Sequence, residues 1–107
     1  MQRVTLVRYT TKPGLADENE ALSRAVFAEL KAKAPAHIAY ALFRDGPDFV
    51  HLFVNAQSED ASALVELPAF KAYAKDVAER CEAPPDQLRL RVRLLDSYGL
   101  AEALVPA

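Results

Sequence analysis

The side chain best suited to proton chemistry in this sequence is His51, set among Phe49, Val50 and Phe53. A buried imidazole acts as general base toward a phenolic substrate or orients a bound carbonyl. The structural alternative is a core histidine bonded to a backbone carbonyl or across a dimer, and both readings stand at this level. Tyr73 offers an apolar ring and a hydroxyl for a substrate oxygen, or else packs with that hydroxyl at a rim. Tyr9 and Tyr40 are candidates of the same kind. Cys81 reads as a small buried hydrophobe, since no neighbouring pattern argues for a lowered thiol pKa. His37, His51 and Cys81 show no metal-ligand spacing, and no metal is expected. There is no nucleophile elbow, phosphate loop or dinucleotide fingerprint. Arg89, Arg91 and Arg93 alternate along the chain; they bind an anion or form a solvated, salt-bridged edge, and the edge is the expectation.

These side chains need elements to hold them, and glycine and proline mark the boundaries. The breaks fall at Pro13-Gly14, Pro35, Gly46-Pro47, Pro68, Pro84-Pro85 and Gly99,. Arg3 to Thr10 is β-branched and alternating, which predicts a strand. Leu22, Val26 and Leu30, with Phe27 beside them, have helical spacing. Asp17 and Glu20 fit a capping box at the start of that helix, and Pro35 ends it. His37 to Arg44 and Phe49 to Asn55 read as strands around the hairpin loop Asp45-Gly46-Pro47-Asp48. Ser58 is the expected N-cap of a short helix reaching Leu64, with Glu59 and Asp60 in its first turn. Pro68 suits the first turn of a second helix whose inner stripe is Phe70, Tyr73, Ala74, Val77 and Cys81. Leu88 to Leu95 alternates again and predicts a last strand. The order is βαββαβ, an α+β fold: a four-stranded antiparallel sheet with both helices on one face, the ferredoxin-like plait.

The hairpin register decides the neighbours of His51. A three-residue loop pairs Ala41 with His51 and places His37, Phe43 and Asn55 on its face. A four-residue loop pairs Leu42 with His51 and brings Tyr40 alongside. The three-residue loop is the expectation.

With 107 residues and 51% hydrophobic side chains, the chain is long enough for one core and too short for two,. Residues 1–107 therefore read as a single domain, with 98–107 as a C-terminal tail. Thirteen basic against fifteen acidic side chains give a net charge of −2, which argues against phosphate-backbone binding,. The βαββαβ order also occurs in RNA-recognition domains, but Phe49-Val50-His51-Leu52 has leucine where their third-strand motif places an aromatic residue. Nucleic acid is not an expected partner. The longest apolar run, Ile38 to Phe43, is far too short for a bilayer, and Met1 to Thr5 does not resemble a secretory signal. A single cysteine forms no internal disulfide,. The expectation is a cytoplasmic protein.

One layer of helices covers one face of a sheet, yet both faces of the hairpin are apolar. Leaving three or four such side chains in water forgoes roughly 1.5–3 kcal/mol each, against a domain stability of about 5–15 kcal/mol. A second copy of the same sheet is the simplest cover, so a homodimer is expected. Leu100, Leu104 and Val105 in the tail either dock on that partner or fray.

Tyr9-Thr10-Thr11-Lys12-Pro13-Gly14 at the end of the first strand, the acidic helix opening, the short hairpin and Leu67-Pro68-Ala69-Phe70-Lys71-Ala72-Tyr73 together resemble the antibiotic-biosynthesis monooxygenase-like family. That family belongs to the dimeric α+β barrel superfamily, and the resemblance covers about residues 3 to 95. It implies the plait, the dimer, and a pocket between helices and sheet for flat aromatic or polycyclic substrates. The haem-degrading members' tryptophan falls on Leu64, their haem-ligand histidine on Ala74 and their first-strand asparagine near Val7, so haem degradation is not implied. The quinone-forming, cofactor-independent members use asparagine, tryptophan, tyrosine and arginine. Here only tyrosines, Asn55 and some arginines can stand in.

The expected function is binding of a hydrophobic, aromatic or carbonyl-bearing metabolite, with cofactor-independent monooxygenation of an electron-rich ring as the reaction if the protein is an enzyme. His51 and Tyr73 are the candidate catalytic residues, and Asn55, Tyr40, Tyr9 and Phe70 the candidate substrate contacts. No cofactor is expected. The alternative is a non-enzymatic ligand-binding or stress-related dimer.

Overall fold

The computed structural model describes residues 2–58, 60–92, 95–96 and 98, the side chains of 91 and 92 excepted. In chain order the elements are strand β1 (Gln2–Thr10), helix α1 (Ala16–Lys33), strands β2 (Ile38–Asp45) and β3 (Asp48–Asn55), helices α2 (Ser62–Val65), α3 (Pro68–Lys75) and α4 (Val77–Arg80), and strand β4 (Asp86–Val92). The strands form one antiparallel sheet in the order β2-β3-β1-β4. This is the ferredoxin-like plait that the alternation of patterns predicts.

β1 and β3 are the central strands, so their alternate residues define the two faces. Tyr9, Phe49 and Phe53 pack with Val26 of α1, Leu64 of α2 and Tyr73 of α3 into the main core. The opposite face carries Val4, Leu6, Val50 and Leu52 from the central strands and Leu88 and Leu90 from β4. Leu6, Leu88 and Leu90 are exposed there, and Phe43 on β2 is 58% exposed. The apolar reverse side read from the sequence is therefore a property of the folded sheet.

Several local features depart from the sequence reading. The expected capping box does not form: the N-cap residue of α1 is Leu15, with no side-chain cap. Asp17 Oδ1 and Glu20 Oε1 instead accept hydrogen bonds from Arg44 Nη1 at 3.0 and 2.9 Å, tying the first turn of α1 to β2. A partly covered guanidinium satisfies these two carboxylates better than the helix's own amides. α1 ends at Lys33, and Ala34 adopts a left-handed φ of 45° with its N–H bonded to the Leu30 carbonyl at 2.7 Å,.

His37 lies ahead of β2 rather than in it, at φ 64°. The chain must turn there to enter the sheet edge, and the His37 carbonyl accepts the Ala56 N–H at 2.9 Å. Ser58 does not cap α2. Its hydroxyl joins a loop network, while Asp60 accepts both the Ser62 N–H at 2.9 Å and the Ser62 hydroxyl at 2.8 Å. The single helix expected over the Phe70 to Cys81 stripe is two helices, interrupted at Asp76, with Cys81 beyond the second and bridged to Thr11. The first turn of α3 is anchored by Glu29 of α1, whose carboxylate accepts the Ala69 N–H at 2.7 Å. Glu59, Arg93, Leu94 and the tail residues Leu100, Leu104 and Val105 lie outside the described residues.

The hairpin takes the register that pairs Leu42 with His51 and Tyr40 with Phe53. This corrects the three-residue expectation. Gly46 supplies the positive φ of 59° that opens the turn, and Pro47, with its fixed negative φ, follows it,. Phe43 is thereby sent to the reverse face, and Tyr40 comes to the side of His51.

Candidate functional site

His51 Nε2 and the Tyr9 hydroxyl share a hydrogen bond of 2.7 Å across the two central strands. Antiparallel pairing sets Val7 opposite His51 and Tyr9 opposite Phe49, so Tyr9 reaches the imidazole diagonally,. From β2, the Tyr40 hydroxyl bonds the other ring nitrogen, Nδ1, at 2.7 Å. From α3, the Tyr73 hydroxyl meets that of Tyr9 at 2.8 Å and lies 3.3 Å from Nε2.

A further layer orients this group. Asn19 of α1 donates Nδ2–H to the Tyr9 oxygen at 2.8 Å, and its Oδ1 accepts from Arg80 Nε at 3.0 Å. Arg80 also donates to the Tyr73 carbonyl at 2.7 Å and stacks its guanidinium over the Tyr73 ring, 5.5 Å from the centroid. Asn19 is fully buried and Arg80 nearly so. Sequence reasoning missed both. Asn19 was findable in principle, because it stands with Ser23 and Val26 on the buried stripe of α1, where an unpaired amide is costly. For Arg80 no local pattern distinguishes it from a surface arginine at the end of a helix.

The network borders a cavity of about 310 Å³ between the sheet and helices α2, α3 and α4, with Tyr40, His51, Phe53, Leu64, Phe70 and Tyr73 among its walls. Arg3, Thr5, Gln87 and Arg89 from β1 and β4 add polar groups to the lining. Arg89 is exposed, as an edge residue should be. It also takes part in the cavity lining, a place that the expectation of a solvated or salt-bridged edge did not include. Tyr9 lies behind His51 as the hub of the network rather than in the cavity wall. Asn55 is placed elsewhere. Its Oδ1 accepts the N–H groups of Gln57 and Ser58, and its Nδ2 donates to Ser58 Oγ and the Asp60 carbonyl, so it holds the loop after β3 and does not line the cavity.

Burial pulls the His51 pKa down to about 4, so the imidazole is neutral at pH 7,. The Tyr40 and Tyr73 hydroxyls are pushed well up, chiefly by burial, and burial also raises that of Tyr9. The group is thus uncharged. Both ring nitrogens are already bonded, so His51 has no free nitrogen for a molecule in the cavity, whose walls it shares with Tyr40 and Tyr73. Burial likewise raises the Cys81 thiol, in keeping with an apolar role. Among the described residues, no group of three histidine, cysteine or acidic side chains is arranged to hold a metal ion. No helix there is long and apolar enough to cross a membrane.

The depressed pKa carries a stability prediction. Between pH 6.5 and about 4 the unfolded chain protonates this imidazole and the folded chain does not. Stability therefore falls as the pH drops through that window, by about 3 kcal/mol in full, and this group contributes no slope above it. Tyr9, Tyr40 and Tyr73 face the ring, with Arg80 behind Tyr73. Urea unfolding should show the stability difference between wild type and His51→Gln shrinking by about 2 kcal/mol from pH 7 to 4.5. A constant difference refutes the buried, neutral assignment.

No family model and no curated protein matches the sequence. Solved structures do match the fold. Rv0793 from Mycobacterium tuberculosis superposes with a TM-score of 0.70 at 20% identity, over 91% of this chain and 98% of that one. A protein from Caulobacter crescentus CB15, provisionally assigned as an antibiotic biosynthesis monooxygenase, gives 0.65 at 21% identity over 83% and 87%. One of the same provisional assignment from Nitrosomonas europaea gives 0.68 at 17% over 83% and 88%. The chain has the fold of the antibiotic biosynthesis monooxygenase-like proteins.

Proposed function

We propose that two copies of this chain pair through their apolar sheet faces, and that each binds a hydrophobic, aromatic or carbonyl-bearing metabolite in its cavity. Cofactor-independent monooxygenation of an electron-rich ring is the reaction. One observation carries the reading: a neutral Tyr40–His51–Tyr9–Tyr73 network beside a mainly apolar cavity of about 310 Å³. That volume lies at the lower end of small-molecule pockets, about 300–1,000 Å³. The aromatic walls suit a flat ring, and the two hydroxyls suit its oxygen substituents.

In the reaction, a ring C–H conjugated with a phenol hydroxyl becomes a carbonyl, giving a quinone. Dioxygen provides the new oxygen atom, its other atom leaves as water with the ring hydrogen and the phenol hydrogen, and the substrate supplies the four electrons. The protein orients the ring, excludes water, and hydrogen-bonds the oxygen on which charge develops. His51 acts at one remove, since the Tyr40 and Tyr9 hydroxyls engage both its ring nitrogens.

A binding protein without turnover is the second reading. It is favoured by the low basicity of His51 and the engagement of both its nitrogens. Quinols and flavonoid-like phenols, followed by thermal shift and oxygen uptake, separate the two. Stabilisation with oxygen consumption that falls about 100-fold or more in His51→Ala, and also falls in Tyr73→Phe, supports the enzyme. Stabilisation without consumption supports the binder, and no response to any compound overturns both.

A further inference from the structure

The hydrogen-bond network has a property that its individual contacts do not reveal. A neutral imidazole carries one N–H, so one of its nitrogens donates and the other accepts. If Nδ1 carries the proton, it donates to the Tyr40 oxygen, and Nε2 accepts from Tyr9. The Tyr9 oxygen then accepts from Asn19 and from Tyr73. In this state the Tyr40 proton is free for the cavity, and Tyr73 offers the cavity only a lone pair.

If Nε2 carries the proton, every bond reverses. Tyr40 donates to Nδ1, Nε2 donates to Tyr9, Tyr9 donates to Tyr73, and the Tyr73 proton is free for the cavity. The Asn19 bond is unaffected, because an amide N–H only donates, and Arg80 holds the amide in that orientation through Oδ1. The longer contact from Tyr73 to Nε2, 3.3 Å, does not alter the count. Each state makes every bond of the network, and each leaves the cavity one free donor and one acceptor, at opposite ends of the imidazole.

We infer that the cavity selects planar, conjugated rings bearing one hydrogen-bond donor and one acceptor at opposite ends, and that the orientation of the bound ring sets the tautomer of His51. The inference rests on the proposal that the cavity is a ligand site, and it narrows the ligand class. A ring with two acceptors leaves one tyrosine lone pair facing another lone pair in either state. A ring with two donors leaves the free tyrosine proton without an acceptor in either state. Both mismatches bury an unmet polar group. The network itself carries no charge, and the guanidinium groups in the lining, Arg3 and Arg89, come from β1 and β4, so the selection concerns the donor and acceptor pattern at the Tyr40 and Tyr73 ends.

4-Quinolone is a suitable probe, with its N–H and carbonyl at opposite positions of one ring, and 1-methyl-4-quinolone lacks the donor. The expected result is at least 10-fold tighter binding of 4-quinolone by calorimetry, falling to less than 3-fold in Tyr73→Phe. Tyr40→Phe cuts the other end of the network and should give the same collapse, so the test survives if one variant fails to fold. In ¹⁵N spectra of the wild type, the His51 ring nitrogens should change on adding 4-quinolone to one clearly protonated and one bare nitrogen. Equal affinities for the two probes, or absence of binding by both while phenols still bind, overturns the inference and leaves the ligand site standing. Failure of quinolones and phenols alike overturns the function proposal itself.

Discussion

Leu52→Lys is expected to convert the protein from dimer to monomer at micromolar concentration, with at least a 1,000-fold loss in association constant. Leu52 sits in the middle of β3, opposite Leu6 on β1 and Ala41 on β2, on the face that no helix covers. Leu6, Phe43, Leu88 and Leu90 are exposed around it. These side chains are already about half covered, so burying the rest returns roughly 0.5–1.5 kcal/mol each,, which summed over both copies drives a stable pairing of two sheets. In a two-fold pairing each copy brings one such lysine, and each puts an unpaired charge into that contact, at a cost of about 3–5 kcal/mol apiece. Sedimentation velocity on wild type and variant measures the change. A wild-type chain that sediments as a monomer at tens of micromolar removes the proposed dimer, and so does a variant that stays dimeric.

Phe49→Ala is expected to cost about 3–5 kcal/mol, comparable to the entire stability of a marginal domain. Phe49 is fully buried. Its ring stacks on Tyr9 with centroids 5.5 Å apart, and the Arg44 guanidinium covers it at 5.4 Å. Removing the ring opens a cavity directly beneath the tyrosine at the hub of the network. The melting temperature should fall by at least about 12 °C, and the bonds from Tyr9 to His51, Tyr73 and Asn19 should loosen with it. Phe43→Ala is the matched control, since that ring is 58% exposed on the reverse face. In the monomer it should cost far less. If Phe49→Ala melts within a few degrees of wild type, the core does not have the packing described.

The element order was legible because each signal is local. β-Branched alternation in β1, the four-residue spacing of Leu22, Val26 and Leu30, and proline at positions 35, 47 and 68 act within a few residues of themselves. The reverse-face argument was legible for the same reason, because alternation in a strand assigns side chains to faces whatever the strand pairs with. His51, Tyr73, Tyr40 and Phe70 were identifiable as site candidates by residue type and by position on a face.

The hairpin register was not legible. Both faces of β2 and β3 are apolar, so sliding one strand by a residue exchanges one greasy set for another and the pattern does not object. The backbone of Gly46 and Pro47 decided it, and with it whether Phe43 or Tyr40 neighbours His51. The break at Asp76 was hidden likewise, since the stripe from Phe70 to Cys81 reads as continuous whether or not the helix is.

What residue order dictates in this chain is the list of elements and the side of each that avoids water, because those follow from forces acting over a turn of helix or a pair of strand residues. The meeting of Tyr9, His51, Tyr40, Tyr73, Asn19 and Arg80 belongs to the tertiary structure. Asn19 and Arg80 are 61 positions apart, and Tyr9 and Tyr73 are 64. Bonds of that span form only once the sheet and its helical layer have packed, and only in a dry interior does each polar group have to find a partner.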